Sequence, residues 1–201
     1  MTMAAPRSIS RDDLILDPDA YGKVRGERRR EIWAIKELRR IPVGPFATFM
    51  FENFDTMRHQ IQEMLYIERG GEEQLAGEFA AYNPMVPNGS ELVATVMFEI
   101  ADPGRRTREL MRLTHVEQTI TLEVDGAVIA ARPEDDLERT KEDGKTSSIH
   151  FLHFPFTREQ VAKFKATGAR VVLAIGHENY AHMTVLSEAA RAALAADFEP
   201  Q

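Results

Sequence analysis

Between Phe46 and Arg69, polar side chains fall where a plain core segment would be apolar. Glu52 and Asn53 end a strand-like run, and Gln60, Glu63 and Glu68 follow on a helix-like one. On a helical wheel of about 100° per residue, Met57, Ile61, Met64 and Leu65 take the buried face. Glu68 falls in the middle of that face, and Gln60 lies between Met64 and Ile67. An unpaired buried polar group costs roughly 1–3 kcal/mol, and a lone charge more. Such groups persist as a closed network or as the wall of a site. Carboxylates held close together can also divide acid and base roles, because their pKa values are pushed apart. Glu31, Glu52, Glu63 and Glu68 are the candidates, with salt bridges to arginines as the plainer reading.

A second polar group lies in His177-Glu-Asn-Tyr-Ala-His182. A tight loop would make His177 and His182 cross-strand neighbours, the best two-histidine metal pair in the chain. Glu178 and Tyr180 could complete it, or His177 could simply order the turn. With Asn179 and Tyr180, His177 is expected to share one pocket with the Glu52–Glu68 group. His59 and Glu63, four apart, share a helix face, more ordinarily as a surface ion pair than as two metal ligands. His150 and His153, three apart on a strand, point to opposite faces. The chain has no Glu-x-x-His, His-Glu-x-x-His, Gly-x-Ser-x-Gly or Gly-x-Gly-x-x-Gly, so no di-iron, zincin, hydrolase or dinucleotide pattern stands out. Zero cysteines remove disulfides, thiolate ligands and cysteine nucleophiles. These patterns leave the cofactor unknown.

The elements that must position these groups can be read in chain order. A helix is expected over Asp19–Arg40, with Ala20, Val24, Ile35 and Leu38 on its apolar stripe, Glu31 within it, and Trp33 claimed by the core. From Lys23 to Arg40 it carries eight Lys/Arg and three Glu, a net +5 in a chain of −7. Gly44–Glu52 reads as one central strand, and Asp55 as the cap of the next helix. A short helix over Glu72–Tyr82 and a strand over Leu92–Ile100 follow. Residues 104–113 make a helical turn or two. Val116–Val124 alternates with Ile120, Leu122 and Val124 inward, and Asp125-Gly126 is the strongest hairpin signal. Residues 133–148 have no apolar period and read as a mobile loop. Ile149–Phe156 is a strand, Thr157–Gln160 a capping box, and Val171–Ile175 and Met183–Leu186 two more strands. Ser187 caps a last Ala-rich helix. The expectation is one α+β domain over residues 1–201, a largely antiparallel sheet of about six to eight strands with four to five helices.

The 201 residues are 43% hydrophobic and 28% charged, an ordinary globular balance. No run approaches the ~20 apolar residues of a membrane span, and the N-terminus lacks the apolar core of a secretory signal. A cytoplasmic protein that does not engage membranes is expected. The negative net charge argues against nucleic acid, which asks for a positive surface.

Phe51-Glu-Asn, Asp55-Thr, Gln60-Ile-Gln-Glu-Met-Leu and Glu68-Arg69 carry a likeness that extends to Val43-Gly44-Pro45, Ala81-Tyr-Asn-Pro84, Phe98-Glu-Ile100 and His177-x-Asn-Tyr180. On these motifs the chain resembles a bacterial and archaeal domain-of-unknown-function family of similar length. The resemblance brings no activity with it. Its members are often encoded near rubrerythrin-like and iron–sulfur oxidoreductase proteins, which implies redox or peroxide metabolism and a redox protein partner. His59 and His182 lie outside the shared motifs. Two readings follow. One is a non-catalytic accessory or binding protein with a polar pocket; the other is a metal-dependent or redox-linked enzyme using Glu and His of 55–69 and 177–182.

Overall fold

The computed structural model describes residues 8–134 and 144–198. Helix α1 (Pro18–Glu37) starts where Asp17 accepts a hydrogen bond from the Asp19 amide and Pro18 fills the first turn. It buries Tyr21 and Ile32, while Trp33 stands 67% exposed. The expected stripe was therefore rotated: Leu38 lies past the helix end, and Glu31 is an exposed partner of Arg28 at 2.9 Å. A helix this rich in charge has too few apolar positions to fix its own buried face; Tyr21 decides it, because its hydroxyl reaches Glu63 on the neighbouring helix at 2.8 Å.

The strand expected over Gly44–Glu52 is β2 (Ala47–Glu52), and it pairs across a turn at Gly44 with β1 (Arg40–Val43), a strand that the sequence did not announce because Arg40 read as helix and Pro42 as its break. Pro42 sits in β1, an edge strand that tolerates a missing donor. All six residues of β2 are buried, as its two apolar faces demand. Helix α2 (Phe54–Glu68) is capped by Asn53, not Asp55: Asn53 accepts from the Thr56 amide while the Thr56 hydroxyl accepts from the Asn53 amide. Asp55 pairs instead with Arg58 at 2.9 Å.

Helix α3 (Gly71–Tyr82), strand β3 (Glu91–Phe98) and helix α4 (Pro103–Arg112) come next. Val116–Thr119 forms a 3-10 turn in place of the start of the expected strand, and β4 (Ile120–Val124) then points Ile120, Leu122 and Val124 inward. β5 (Ala127–Ala130), β6 (Arg132–Pro133), β7 (Ile149–Pro155), α5 (Arg158–Lys165), β8 (Val171–His177), β9 (Tyr180–Val185) and α6 (Glu188–Ala195) complete the chain. The class is α+β with antiparallel pairing, but the nine described strands form two sheets, in orders β1-β2-β3-β7-β6 and β5-β4-β8-β9. One apolar cluster joins the inner faces of both, from Phe49, Phe51, Val96 and Phe154 to Leu122, Leu173 and Ile175. A second lies on the other face of the first sheet, where Phe54, Met57, Ile61 and Leu65 of α2 meet Val93. Most of the loop expected at 133–148 lies outside the described residues.

Asp125 and Gly126 have φ of 45° and 83°, the pair of positive values a type I′ turn needs. Open space surrounds a Cβ built on Gly126, so backbone conformation alone sets the effect of a side chain there. Gly126→Val is expected to cost more than about 1 kcal/mol in chemical denaturation. A variant as stable as the parent would show that the turn relaxes freely.

Candidate functional site

The N-terminal segment is held by two side-chain amides that pair with backbone as a strand would. Asn83 accepts from the Ile9 amide at 2.8 Å and donates to the Ile9 carbonyl at 3.1 Å. Gln62 of α2 does the same for Ile15, at 2.7 and 2.9 Å. Between this segment, α1 and α2 opens a groove of about 390 Å³, within the range of small-ligand sites. Ile15, Tyr21, Ile32 and Ile35 give it an apolar wall; Asp13, Glu31 and Asp55 face it with carboxylates, and Arg28, Arg58 and His59 with nitrogen groups. Burial holds the half-buried His59 imidazole below its ordinary range, with Glu63 pulling the other way. His59 is therefore a neutral imidazole at pH 7, able to accept or donate.

The residues singled out from sequence do not converge on one pocket. Glu63 closes the α1–α2 seam: it accepts from Tyr21 and takes both Arg25 Nε and Arg25 Nη2, at 3.0 and 2.8 Å. Those bonds hold its carboxyl below the usual range, and burial with Glu63 alongside raises the Tyr21 phenol. The expected His59–Glu63 pair gives way to this clasp. Glu68 is exposed and accepts from Gln74 at 2.7 Å, and Gln60 is only half-buried. The buried amide is Gln62, because the N-terminal segment covers that side of α2, which no wheel drawn on α2 alone reveals.

Glu52 is buried beneath α2 and accepts from the hydroxyls of Thr56 at 2.6 Å and Thr95 at 2.7 Å. Burial pushes its carboxyl up, and the two hydroxyls pull it back. A folded-state pKa above the unfolded value of about 4.3 means the folded protein binds that proton more tightly. The resulting stabilisation is present below the unfolded pKa and lost as pH rises through the folded value. Glu52→Gln is thus expected to melt at or above the parent temperature at pH 7, and to lose that margin near pH 4. A variant clearly less stable at pH 7 would show that the ionised carboxylate is what the fold requires.

His177, Asn179 and Tyr180 belong to a different place. His177 Nδ1 accepts from the Asn179 amide and Nε2 donates to the Thr114 carbonyl at 3.1 Å, so both ring nitrogens are engaged. Asn179 donates to the Arg112 carbonyl, tying the turn to the end of α4. The Tyr180 hydroxyl accepts from the Phe46 and Ala47 amides and donates to the Val43 carbonyl, which fastens the β1–β2 turn. The hairpin is tighter than expected: His177 pairs with Tyr180, and the exposed His182 pairs with Ile175. His177 and His182 are therefore not direct cross-strand partners. Among the described residues no group of three His, Cys, Asp or Glu suits a metal ion.

Two buried polar clusters escaped sequence reading. Arg39 and Asp197 form an ion pair across nearly the whole chain length. Glu117, 6% exposed, has His115 Nδ1 and His150 Nδ1 each 3.7 Å from a carboxylate oxygen. His150 and His153 do point oppositely: His150 faces the inter-sheet core beside Phe98, and His153 meets Glu91 at 3.0 Å, which raises its pKa.

A family model described as a protein of unknown function, DUF3501, matches residues 8–198. A crystal structure of a protein of unknown function from Burkholderia pseudomallei K96243 is similar to the chain, with a TM-score of 0.88 and 35% identity over 96% of this chain and 100% of that one. No curated protein matches.

Proposed function

Because the chain belongs to the DUF3501 family, whose description assigns no activity, its role rests on its own residues, and we propose that this single-domain protein is a non-catalytic binding accessory. Its ligand site is the groove between the N-terminal segment, α1 and α2, and its ligand is small and carries both charges, as a free amino acid does. The observation that carries this is the lining: two partly exposed ion pairs, Arg28–Glu31 and Arg58–Asp55, stand with Asp13 around an apolar wall, and pairs this exposed are weak enough to exchange for a ligand's charges. A ligand carboxylate suits the guanidiniums, an ammonium the carboxylates. A non-catalytic role is favoured because Glu63, His177 and Tyr180, the groups best suited to chemistry, are each taken up by structural hydrogen bonds. No helix is long and apolar enough to cross a membrane, among the residues described. Cytoplasmic location and service to a redox partner are the finer parts of the proposal; the first rests on the cysteine-free composition, the second on the neighbourhood that the family resemblance implies.

The test is an amide NMR titration with free glutamate and free arginine, using succinate, which carries only negative charge, and putrescine, which carries only positive charge, as controls. Saturable shifts at Ile15 and Asp55–Gln62 with an amino acid, abolished in Arg58→Gln, are expected. Shifts confined to other surfaces, or equal response to the controls, would overturn it. The enzyme reading keeps one foothold in the neutral His59 facing the groove. Turnover of a bound amino acid, lost in His59→Gln with binding intact, would establish it.

A further inference from the structure

Trp33 is the chain's one tryptophan, and it projects from the outer side of α1. At about 100° per residue, Arg29, Arg30, Lys23 and one carboxylate, Glu37, fall within about 80° of Trp33, while Tyr21 and Ile32 lie about 100–120° away on the buried side, with the half-buried Lys36 on the flank toward α2. Of the eight cations between Lys23 and Arg40, four are neutralised within the fold: Arg25 by Glu63, Arg28 by Glu31, Arg39 by Asp197 and Arg40 by Glu99. Lys23, Arg29, Arg30 and Lys36 take part in no ion pair among the described residues. An exposed tryptophan flanked by arginines that no ion pair holds, with Glu37 the one carboxylate beside them, is the composition of an interface hot spot.

We propose that this face docks a second copy of the chain, on the acidic corner where α2 meets α3. That corner exposes Ile67, 64% accessible, beside Glu68, Glu72 and Glu73. Glu72 has its own partner, Arg11, but the pair is more than half exposed on both sides and is readily exchanged. Arg69 lies on the same corner, its guanidinium drawn toward the Tyr66 ring. Charge selects this occupant. Two α1 faces laid antiparallel would set Arg29 and Arg30 of both copies against each other, whereas corner on α1 places opposite charges together and Ile67 within reach of Trp33. A two-fold axis makes the contact twice, each copy giving one basic face and one acidic corner. An extended polyanion would run off α1 onto a surface carrying the rest of the charge of a −7 chain.

Sedimentation equilibrium and Trp33 emission, over a concentration series at low and high salt, test the proposal. A dimer with blue-shifted emission is expected, weakened by salt, and weakened about tenfold or more by Trp33→Ala. Arg29→Glu with Arg30→Glu should abolish it, as should Glu72→Lys with Glu73→Lys. Mixing those two double variants should restore a heterodimer, because both contacts are then complementary again. Monomer at every concentration overturns the proposal, as does a dimer indifferent to all three changes. A Trp33 response found only with mixed-sequence duplex DNA or anionic phospholipid vesicles, the protein staying monomeric, overturns it too.

Discussion

Asp197→Ala is expected to remove about 3–5 kcal/mol of stability, the usual consequence of leaving one member of a buried ion pair alone. At roughly 2–4 °C per kcal/mol for a chain of this size, the melting temperature should fall by about 6–20 °C. Arg39 and Asp197 are 3% and 1% exposed, so neither charge can turn to water. The guanidinium is held bidentately, Nη1 to Oδ2 at 2.9 Å and Nη2 to Oδ1, and also donates to the Ala193 carbonyl. Burial raises the Asp197 carboxyl and Arg39 lowers it. The bidentate geometry is that of a charged pair, so the aspartate is ionised at neutral pH. Truncating it strands a cation beneath the sheet and frees the last turn of the chain, which carries Phe198 against Phe156 and Phe164. Glu31→Ala provides the contrast: its pair with Arg28 is about half exposed on both sides, and such pairs are worth about 0–1 kcal/mol. Thermal denaturation of the two variants decides. If Asp197→Ala melts within a degree or two of Glu31→Ala, the C-terminal clasp contributes nothing.

What was legible in the sequence was local. The Asp125-Gly126 turn, the Thr157–Gln160 capping box and the doubly apolar strands β2 and β3 declare themselves through neighbours within a few residues. What misled was anything settled by a distant segment. The buried face of α2 depends on residues 8–17 folding over it, so Gln62 is the inward amide and Glu68 the exposed carboxylate. Asn53 outcompeted Asp55 as the cap because Thr56 could reciprocate. The two-sheet arrangement is equally nonlocal. The chain passes from β5 in one sheet to β6 in the other at Ala131, whose amide donates to the Ile120 carbonyl, and no period in the sequence marks that crossing. The groove escaped for the same reason: Asp13, Glu31, Asp55 and His59 come from three segments, and Glu31, Asp55 and His59 each had a separate local reading, as a stripe carboxylate, a helix cap and half of an ion pair, that did not bring them together.

Tyr180→Phe removes a single oxygen, and the loss should be large for so small a change. That hydroxyl accepts from the Phe46 amide at 3.1 Å and the Ala47 amide at 3.0 Å, and donates to the Val43 carbonyl at 2.8 Å. Three backbone groups of one turn lose a hydrogen bond together, in a place where Ala47 and Val43 are buried and keep only their pairing in the β1–β2 ladder. Each unsatisfied buried group costs about 1–3 kcal/mol, less than additively when the turn can relax, so a total near 2–4 kcal/mol is expected. The ring contacts of residue 180 with Phe46 and His182, both at 4.5 Å, survive the change, so packing is not the variable. Relaxation is limited as well. Gly44 has φ of +70°, and a Cβ there would stand 2.6 Å from the His182 ring and 2.7 Å from the Tyr180 oxygen, so the turn lies directly on these side chains. Hydrogen exchange at the Ala47 amide should accelerate in step with the drop in melting temperature. A Tyr180 that touched a ligand through its hydroxyl would behave otherwise, with melting unchanged and binding lost. Unchanged melting in Tyr180→Phe, with Ala47 still protected from exchange, would refute the clasp and return the 177–180 turn to consideration as a binding surface.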